Sequence, residues 1–418
     1  MFKNYVKIAF KVFMRRKFFT FVSLFGSSLT LAVLVAAAIL LDYYLGAHPP
    51  EVNKGRTLKV GCLTMTKADD MNYNMSGNPS LRFLDRHVRT LESPEKVCVY
   101  SRNRTVVTYV GDEKVALSLK HVDSAYWEVL RFNFIEGRPF TAQEDAGGER
   151  LAVIGAETRQ RLFGAESPLG KRLEADDRSF RVIGVVEDVA RVQSNAHADL
   201  WVPIGTAGQE VRENPSLRGR FEALLLARTE ADIPRIKEEY QTALTRVEPS
   251  DPRFDVVYST ADTPFEEIAR ETFGWRTFRE GYHKGRLMLL WALLALLFMA
   301  LPALNMINLN LSRILERASE IGVRKAFGAP SGSLVGQFLV ENVLLSLIGG
   351  GLGFGLSYLV VYAVGQGFEE YRLAWGVSIR VFAIGLAVTV VFGLISGLYP
   401  AWRMSRLHPA QALRGGRR

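Results

Sequence analysis

The sequence predicts an α-helical membrane protein with four transmembrane helices and a large mixed α/β extracytoplasmic domain inserted between the first and second. Three observations predict it: four long apolar runs, a soluble-type segment over 46–284, and an uneven placement of Lys and Arg. The 418 residues include 52 Lys+Arg and 43 Asp+Glu, a formal net charge of +9, and are 48% hydrophobic. Two cysteines are too few for a disulfide-built scaffold or a Cys-rich zinc domain.

Residues 1–17 read as a cytoplasmic amphipathic helix. Phe2, Tyr5, Val6, Ala9, Phe10 and Phe13 share one face, and Lys3, Lys7 and Lys11 recur at i,i+4 on another. Such a helix lies in the headgroup layer, with membrane lipid as its partner. Residues 18–45 read as transmembrane helix 1, because Phe21–Leu41 runs 21 residues without a charge. That length spans about 30 Å, a bilayer's hydrocarbon thickness. A signal peptide's apolar segment is shorter and ends at a small-residue cleavage site. Here Ala36-Ala37-Ala38 lies inside the run, and Asp42-Tyr43-Tyr44 follows it.

Three more spans follow: 285–311 (apolar from Leu287 to Leu311), 334–365 (Leu334 to Val364) and 380–401 (Val381 to Tyr399). A soluble helix is rarely apolar on every face for about 20 residues. A cytoplasmic loop over 312–333, a short external loop over 366–379 and a cytoplasmic tail over 402–418 complete the topology. Residues 1–17, 312–333 and 402–418 together carry +13, while 46–284 carries −3. The positive-inside rule then places both termini and the 312–333 loop in the cytoplasm. The net charge reports membrane orientation, and no nucleic-acid partner is needed to explain it.

Segment 46–284 alternates short strands and helices. Strands are expected at Thr57–Leu63, Val97–Tyr100, Thr105–Val110, Leu151–Ile154, Arg181–Val186, Leu200–Ile204, Phe221–Ala227 and Phe254–Tyr258. Helices are expected over Ser80–Leu91, Glu157–Phe163 and Asp232–Thr245. The first and third groups of elements read as split halves of one part, with an inserted α/β part over about 121–205. Catalytic motifs are missing: there is no Gly-x-Ser-x-Gly elbow, no His-Glu-x-x-His and no metal-type spacing among His48, His87, His121, His197 and His283. Gly164 to Lys171 has five residues between its glycines, and Arg172 stands where a phosphate loop needs Ser or Thr. It reads as a turn before a strand. Cys62 and Cys98 both fall in this segment, where a disulfide and two separate thiols are both open readings.

The membrane segments carry their own signals. Gly349-x-x-x-Gly353, Gly351-x-x-x-Gly355 and Gly393-x-x-x-Gly397 let helix backbones approach closely, within or between subunits. Asn305, Asn308 and Asn310 follow a Pro302 kink. Glu341 is the acid inside the third run, either a functional group or one that snorkels toward the interface. The 312–333 loop holds a short charged helix with Arg313, Glu316, Arg317, Glu320, Ile321, Arg324, Lys325 and Ala326, ended by Gly328 and Pro330. Glu320 precedes Arg324 in the favoured i,i+4 order. A rigid charged helix between two spans suits docking of a soluble partner.

Glu320-Ile-Gly-Val-Arg-Lys-Ala-Phe-Gly-Ala329 resembles the loop signature of MacB/FtsX-type ABC transporter permeases. Gln337-Phe-Leu-Val-Glu-Asn-Val-Leu-Leu-Ser-Leu-Ile-Gly-Gly350 is similar to the family's third span, and Tyr399-Pro-Ala-Trp-Arg403 with Pro409-Ala-Gln-Ala-Leu-Arg414 to its C-terminal signature. Gly137-Arg-Pro-Phe-Thr141, Val153-Ile-Gly155, Leu162-Phe-Gly164, Pro168-Leu-Gly-Lys171 and Val182-Ile-Gly-Val185 follow the family's periplasmic-core pattern in order. The resemblance implies a multi-pass protein of the bacterial inner membrane with a periplasmic domain. It also implies a non-catalytic subunit that binds no cofactor, paired with an identical or paralogous permease chain. Two copies of a separate ATPase would use ATP and Mg. The 312–328 helix would be the coupling helix, and a periplasmic adaptor and outer-membrane channel are further partners of such systems. Export, lipoprotein release and control of a cell-wall hydrolase are all expected uses of this architecture.

Overall fold

The computed structural model describes residues 2–15, 17–70, 72–110, 112–175, 177–273, 285–294, 296–297 and 331–367, with 383, 387, 390, 391 and 394. The chain forms two compact units, Met1–Asp42 with Met288–Arg418, and Tyr43–Leu287.

The first unit opens with helix α1 (Phe2–Arg15) and helix α2 (Lys17–Leu45), whose 29 residues enclose the first apolar run. The second unit contains, in chain order, β1 (Thr57–Val60), β2 (Leu63–Thr66), β3 (Asn74–Pro79), α3 (Leu81–His87), β4 (Lys96–Ser101), β5 (Arg104–Val110) and β6 (Glu113–Val122). Next come α4 (Tyr126–Val129), β7 (Phe134–Gly137), α5 (Ala142–Ala146), β8 (Leu151–Gly155), α6 (Ala156–Phe163), β9 (Arg172–Ala175), β10 (Arg178–Val186) and β11 (Leu200–Pro203). The unit closes with α7 (Gln209–Glu213), β12 (Arg218–Gly219), β13 (Phe221–Leu226), α8 (Ile233–Leu244), β14 (Val256–Ser259) and α9 (Pro264–Phe273). Helix α10 (Gly285–Leu294) follows in the chain, then the 37-residue helix α11 (Ser331–Gly367).

A ten-stranded sheet runs in the order β1-β13-β4-β6-β11-β8-β10-β7, with β5 paired to β6 and β9 to β10. A four-stranded sheet runs β12-β3-β2-β14. The sheet is mixed: β6 with β11 and β8 with β10 are parallel, and the remaining pairs are antiparallel. Strands such as β8 and β13 are buried at every residue, which explains their unbroken apolar sequences. On one face Leu58, Val60, Val99, Ala223 and Leu225 pack with Phe83, Leu84, Ile236 and Tyr240. On the other, Cys98, Tyr100, Val122, Leu224 and Leu226 pack with Tyr126, Trp127 and Trp201. Helix α8 contributes Ile236, Tyr240 and Leu244, one residue per turn on its buried side.

Local chemistry explains several boundaries. The expected strand at 57–63 divides into β1 and β2 around Gly61 and Cys62. The expected helix over 80–91 forms only as α3, capped by the Ser80 hydroxyl, which accepts from Phe83 N at 3.2 Å. In Gly137-Arg-Pro-Phe-Thr141, Gly137 has φ +72°, and a Cβ there would come within 2.0 Å of the Ile183 carbonyl. Thr141 then caps α5 in a box with Glu144. Gly164 (φ +59°) and Gly170 (φ +79°) turn the chain between α6 and β9.

In the first unit, α1 packs against α11. Ala9 and Phe13 are buried against Leu345 of α11, with Leu24, Leu344 and Ile348 around them. The small Ala9 side chain leaves room for the two helices to approach, and Phe10 and Met14 remain exposed. Within α11 the stretch Leu339–Val360 has the length and hydropathy of a membrane span, 22 residues at a mean hydropathy of 1.9. The rest of the second apolar run and nearly all of the fourth lie outside the described residues.

Candidate functional site

The 312–333 segment, with Arg313, Glu316, Arg317, Glu320, Ile321, Arg324, Lys325, Ala326 and Gly328, lies outside the described residues. So do Gly393, Gly397, Pro302, Asn305, Asn308 and Asn310.

On α11 the described residues form one stripe. Gln337, Glu341, Asn342, Leu345 and Ser346 are buried, followed by Gly349, Gly353 and Ser357. Gln337, Glu341, Leu345, Gly349, Gly353 and Ser357 recur every four residues, with Asn342 and Ser346 beside them, so they share a helix face. Gly351 and Gly355, the other small-residue pair, are exposed. Gln337 Nε2 donates to Glu341 Oε1 at 3.3 Å, and Glu341 is 3% exposed. The structure therefore buries Glu341 among polar neighbours, beside the patch that receives α1.

The external unit holds a second charged region that the sequence reading missed. Lys59 of β1 pairs with Glu222 of β13 at 3.1 Å and with Glu267 of α9 at 2.8 Å. Burial works against its charge, but the two carboxylates outweigh that and raise its pKa. Lys59 N donates to Asp262 O at 2.8 Å, Asp262 N donates to Lys59 O at 2.9 Å, and Arg270 Nε donates to Asp262 Oδ2 at 2.6 Å. Lys237 of α8 also pairs with Glu266. Nothing local marks these residues: Lys59 sits in Leu58-Lys-Val60, where alternation puts it on the outward face. That face is covered by the residues of 121–205.

Lys120 of β6 is 1% exposed. Its Nζ donates to Ser194 O at 2.7 Å and Asn195 O at 2.9 Å, and it lies 5.2 Å from the Tyr100 ring centroid. Burial pushes its pKa down to about 7, with Glu222 opposing. Tyr126 Oη donates to Asn195 O and Ala196 O, Trp201 Nε1 donates to Ala196 O, and Tyr100 Oη donates to Asn195 Oδ1. Asp123, next to this region, has its pKa raised to about 6 by burial, although Arg89 and the Val99 N–H oppose the rise. A cavity of about 40 Å³ adjoins both lysine regions, lined in part by Glu51, Asn53, Lys59, Asn195, Asp262 and Glu267.

Cys62 and Cys98 are separate thiols. Cys98 pairs in register with Leu224, which pairs with Lys59 on its other side. Two strand spacings, about 9.6 Å, already separate Cys98 from β1, beyond the reach of a disulfide. Burial raises both thiol pKa values. His197 is half-buried, its Nδ1 2.8 Å from the Val189 carbonyl. Among the described residues no group of three or more His, Cys, Asp or Glu could hold a metal ion.

The family profile of the MacB-like periplasmic core domain matches residues 20–243, and that of the FtsX-like permease C-terminal matches residues 292–409. The chain is 28% identical over 327 residues to the macrolide export ATP-binding/permease protein MacB of Bdellovibrio bacteriovorus, covering 75% of this chain and 46% of that protein. It is 26% identical over 333 residues to the pyoverdine export ATP-binding/permease protein PvdT of Pseudomonas aeruginosa, covering 78% and 46%. The chain thus spans about half the length of these relatives. The uncharacterized ABC transporter permease YknZ of Bacillus subtilis is 24% identical over 358 residues, covering 84% of this chain and 83% of that one. Among solved structures, the periplasmic region of MacB from Actinobacillus actinomycetemcomitans aligns with a TM-score of 0.38 at 16% identity, over 53% of this chain and 97% of that one. The chain belongs to the MacB/FtsX-type ABC transporter permeases, membrane proteins that carry a MacB-like periplasmic core domain ahead of an FtsX-like permease region.

Proposed function

We propose that this chain is the transmembrane permease subunit of a MacB-type ABC transporter. It couples ATP hydrolysis by a separate ATPase to motion of its periplasmic domain, for export from the cell envelope. The observation that carries the reading is the order of the two family matches, core domain over 20–243 and permease region over 292–409. YknZ, matched over 83% of its length, bears the name of an ABC transporter permease, which supports the permease reading. The reading includes four spans, cytoplasmic termini, and a second permease chain, identical or paralogous. Two ATPase copies dock on the 312–328 helix, and a periplasmic adaptor and outer-membrane channel complete the route. The chain itself supplies no catalytic residue. Relatives named for macrolide, pyoverdine and syringafactin export favour a hydrophobic or peptide-like cargo.

The test is copurification of an ATPase with the full chain. Glu320→Arg or deletion of 316–328 is expected to abolish it, and an intact complex in both variants would overturn the reading. YknZ, whose name specifies no cargo, keeps lipoprotein release and control of a periplasmic cell-wall hydrolase as second readings. A pull-down on the external domain separates them: a hydrolase supports regulation, and an adaptor supports export.

A further inference from the structure

The contact with α11 fixes the rotation of α1 about its own axis. Ala9 and Phe13 are the residues that face Leu345. At about 100° per residue, the row Lys7, Lys11 and Arg15 then lies on the opposite side of the helix, and all three side chains are exposed. Phe10 and Met14 follow Lys7 and Lys11 by three residues, so they flank the cationic row. Both are exposed, at 51% and 67%.

The row has no counter-charge on its own helix, because Phe2–Arg15 contains no acid. Like charges four residues apart destabilise a helix. The successive pairs Lys7–Lys11 and Lys11–Arg15 therefore weaken α1 unless an anion lies across them. The residues beside the row select the kind of anion. A soluble anion answers the charges but leaves Phe10 and Met14 in water. A lipid brings a charged headgroup and hydrocarbon together, and the exposed apolar surface continues from Met14 into Phe18, Phe21 and Phe25 of α2.

The sequence pattern puts Ala9 and Phe13 on the same lipid-facing side as Phe10. The structure gives Ala9 and Phe13 to α11 instead. Interfacial binding combines buried apolar area with attraction to anionic headgroups. With less apolar area left for lipid, charge decides which lipid is held.

We propose that Lys7, Lys11 and Arg15, with the flanking Phe10 and Met14, form a binding site for an anionic lipid. The phosphate lies against the three cations, and an acyl chain lies along Phe10 and Met14. The site depends on the membrane character of the family and on neither the cargo nor the ATPase.

The test titrates the full chain in neutral detergent with three probes and measures equilibrium binding and thermal unfolding. Dioctanoyl phosphatidylglycerol carries anion and chains, dioctanoyl phosphatidylcholine carries the same chains without net charge, and glycerol phosphate carries the anion alone. The first is expected to bind and to raise the unfolding temperature, and the others to bind about tenfold more weakly or worse. Each basic side chain near an anionic lipid surface is worth about a fivefold change in affinity. Lys7→Gln, Lys11→Gln and Arg15→Gln together are expected to weaken phosphatidylglycerol binding about a hundredfold. Lys7→Arg with Lys11→Arg is expected to preserve it, which separates lost charge from a damaged fold. Equal affinity for phosphatidylcholine would make α1 a purely apolar anchor, and equal affinity for glycerol phosphate would make the row a free-anion site. Either result overturns the proposal, as does undiminished phosphatidylglycerol binding in the triple glutamine variant. Failure of the ATPase to copurify leaves these binding measurements untouched, so the two readings fail separately.

Discussion

Lys59 and Lys120 lie on the same face of the ten-stranded sheet, and their surroundings push their charge in opposite directions. The registers place Lys59, Leu224 and Cys98 in one row, and Tyr100 with Val122, two residues from Lys120, in another. Both side chains are largely buried. Around Lys59 two carboxylates lie within 3.1 Å, and the ammonium form is held. Around Lys120 lie two backbone carbonyls and an aromatic face, so burial prevails and the pKa falls to about 7. Burial alone does not decide a lysine's charge; the net charge of the groups that bury it does.

The contrast is broken most severely by taking the carboxylates from Lys59. Glu222→Gln with Glu267→Gln is expected to cost about 3–5 kcal/mol, the usual penalty for stranding one member of a buried ion pair. Chemical denaturation of the full chain followed by tryptophan fluorescence reads it, and a loss below 1 kcal/mol (an about fivefold change in the folding equilibrium) would refute the assignment. Lys120→Met strips the Lys120 donor from Ser194 O, leaves Asn195 O with Tyr126 Oη alone, and also removes a costly buried charge. We expect a net loss of about 1–2 kcal/mol near neutral pH, because an unpaired buried carbonyl costs about 1–3 kcal/mol.

The same lysine sets a pH signature. Its folded pKa lies below the ordinary lysine value of 10.5, so between about pH 7 and 10 the unfolded chain binds more protons. Its contribution to stability therefore rises with pH across that window. Thermal unfolding at pH 7 and pH 9 should show this rise in the wild type, and Lys120→Met should flatten it. The smallest effect is expected for Tyr126→Phe, about 1 kcal/mol or less. Asn195 O keeps Lys120 and Ala196 O keeps the Trp201 indole as donors. A loss as large as that of Lys120→Met would mean that the tyrosine, and not the lysine, holds the 194–196 segment.

Much of the architecture was legible residue by residue. The apolar runs at 21–41 and 334–364 lie within α2 and α11, and Gly349 and Gly353 fall on the buried face that their spacing suggested. The strands near 97–100, 105–110, 151–154 and 221–227 formed close to where β-branched and apolar clusters placed them. β6 escaped notice because Lys114, Ser118, Lys120 and His121 interrupt its apolar pattern. One of those, Lys120, finds its partners only in the loop at 194–195. The disulfide reading of Cys62 and Cys98 was decided by register, which no spacing of two cysteines reveals.

Composition and periodicity by themselves determined the class of the protein, its long apolar helices and the motif order that places it in its family. These are properties of short windows, in which burial, helix period and turn chemistry act on neighbours. Tertiary structure decided that β13 lies between β1 and β4, and that Lys59 meets a carboxylate 208 residues away. It also decided that the chain after α2 fastens to Gln193. Those contacts depend on which faces of which strands cover one another, and that choice belongs to the whole fold.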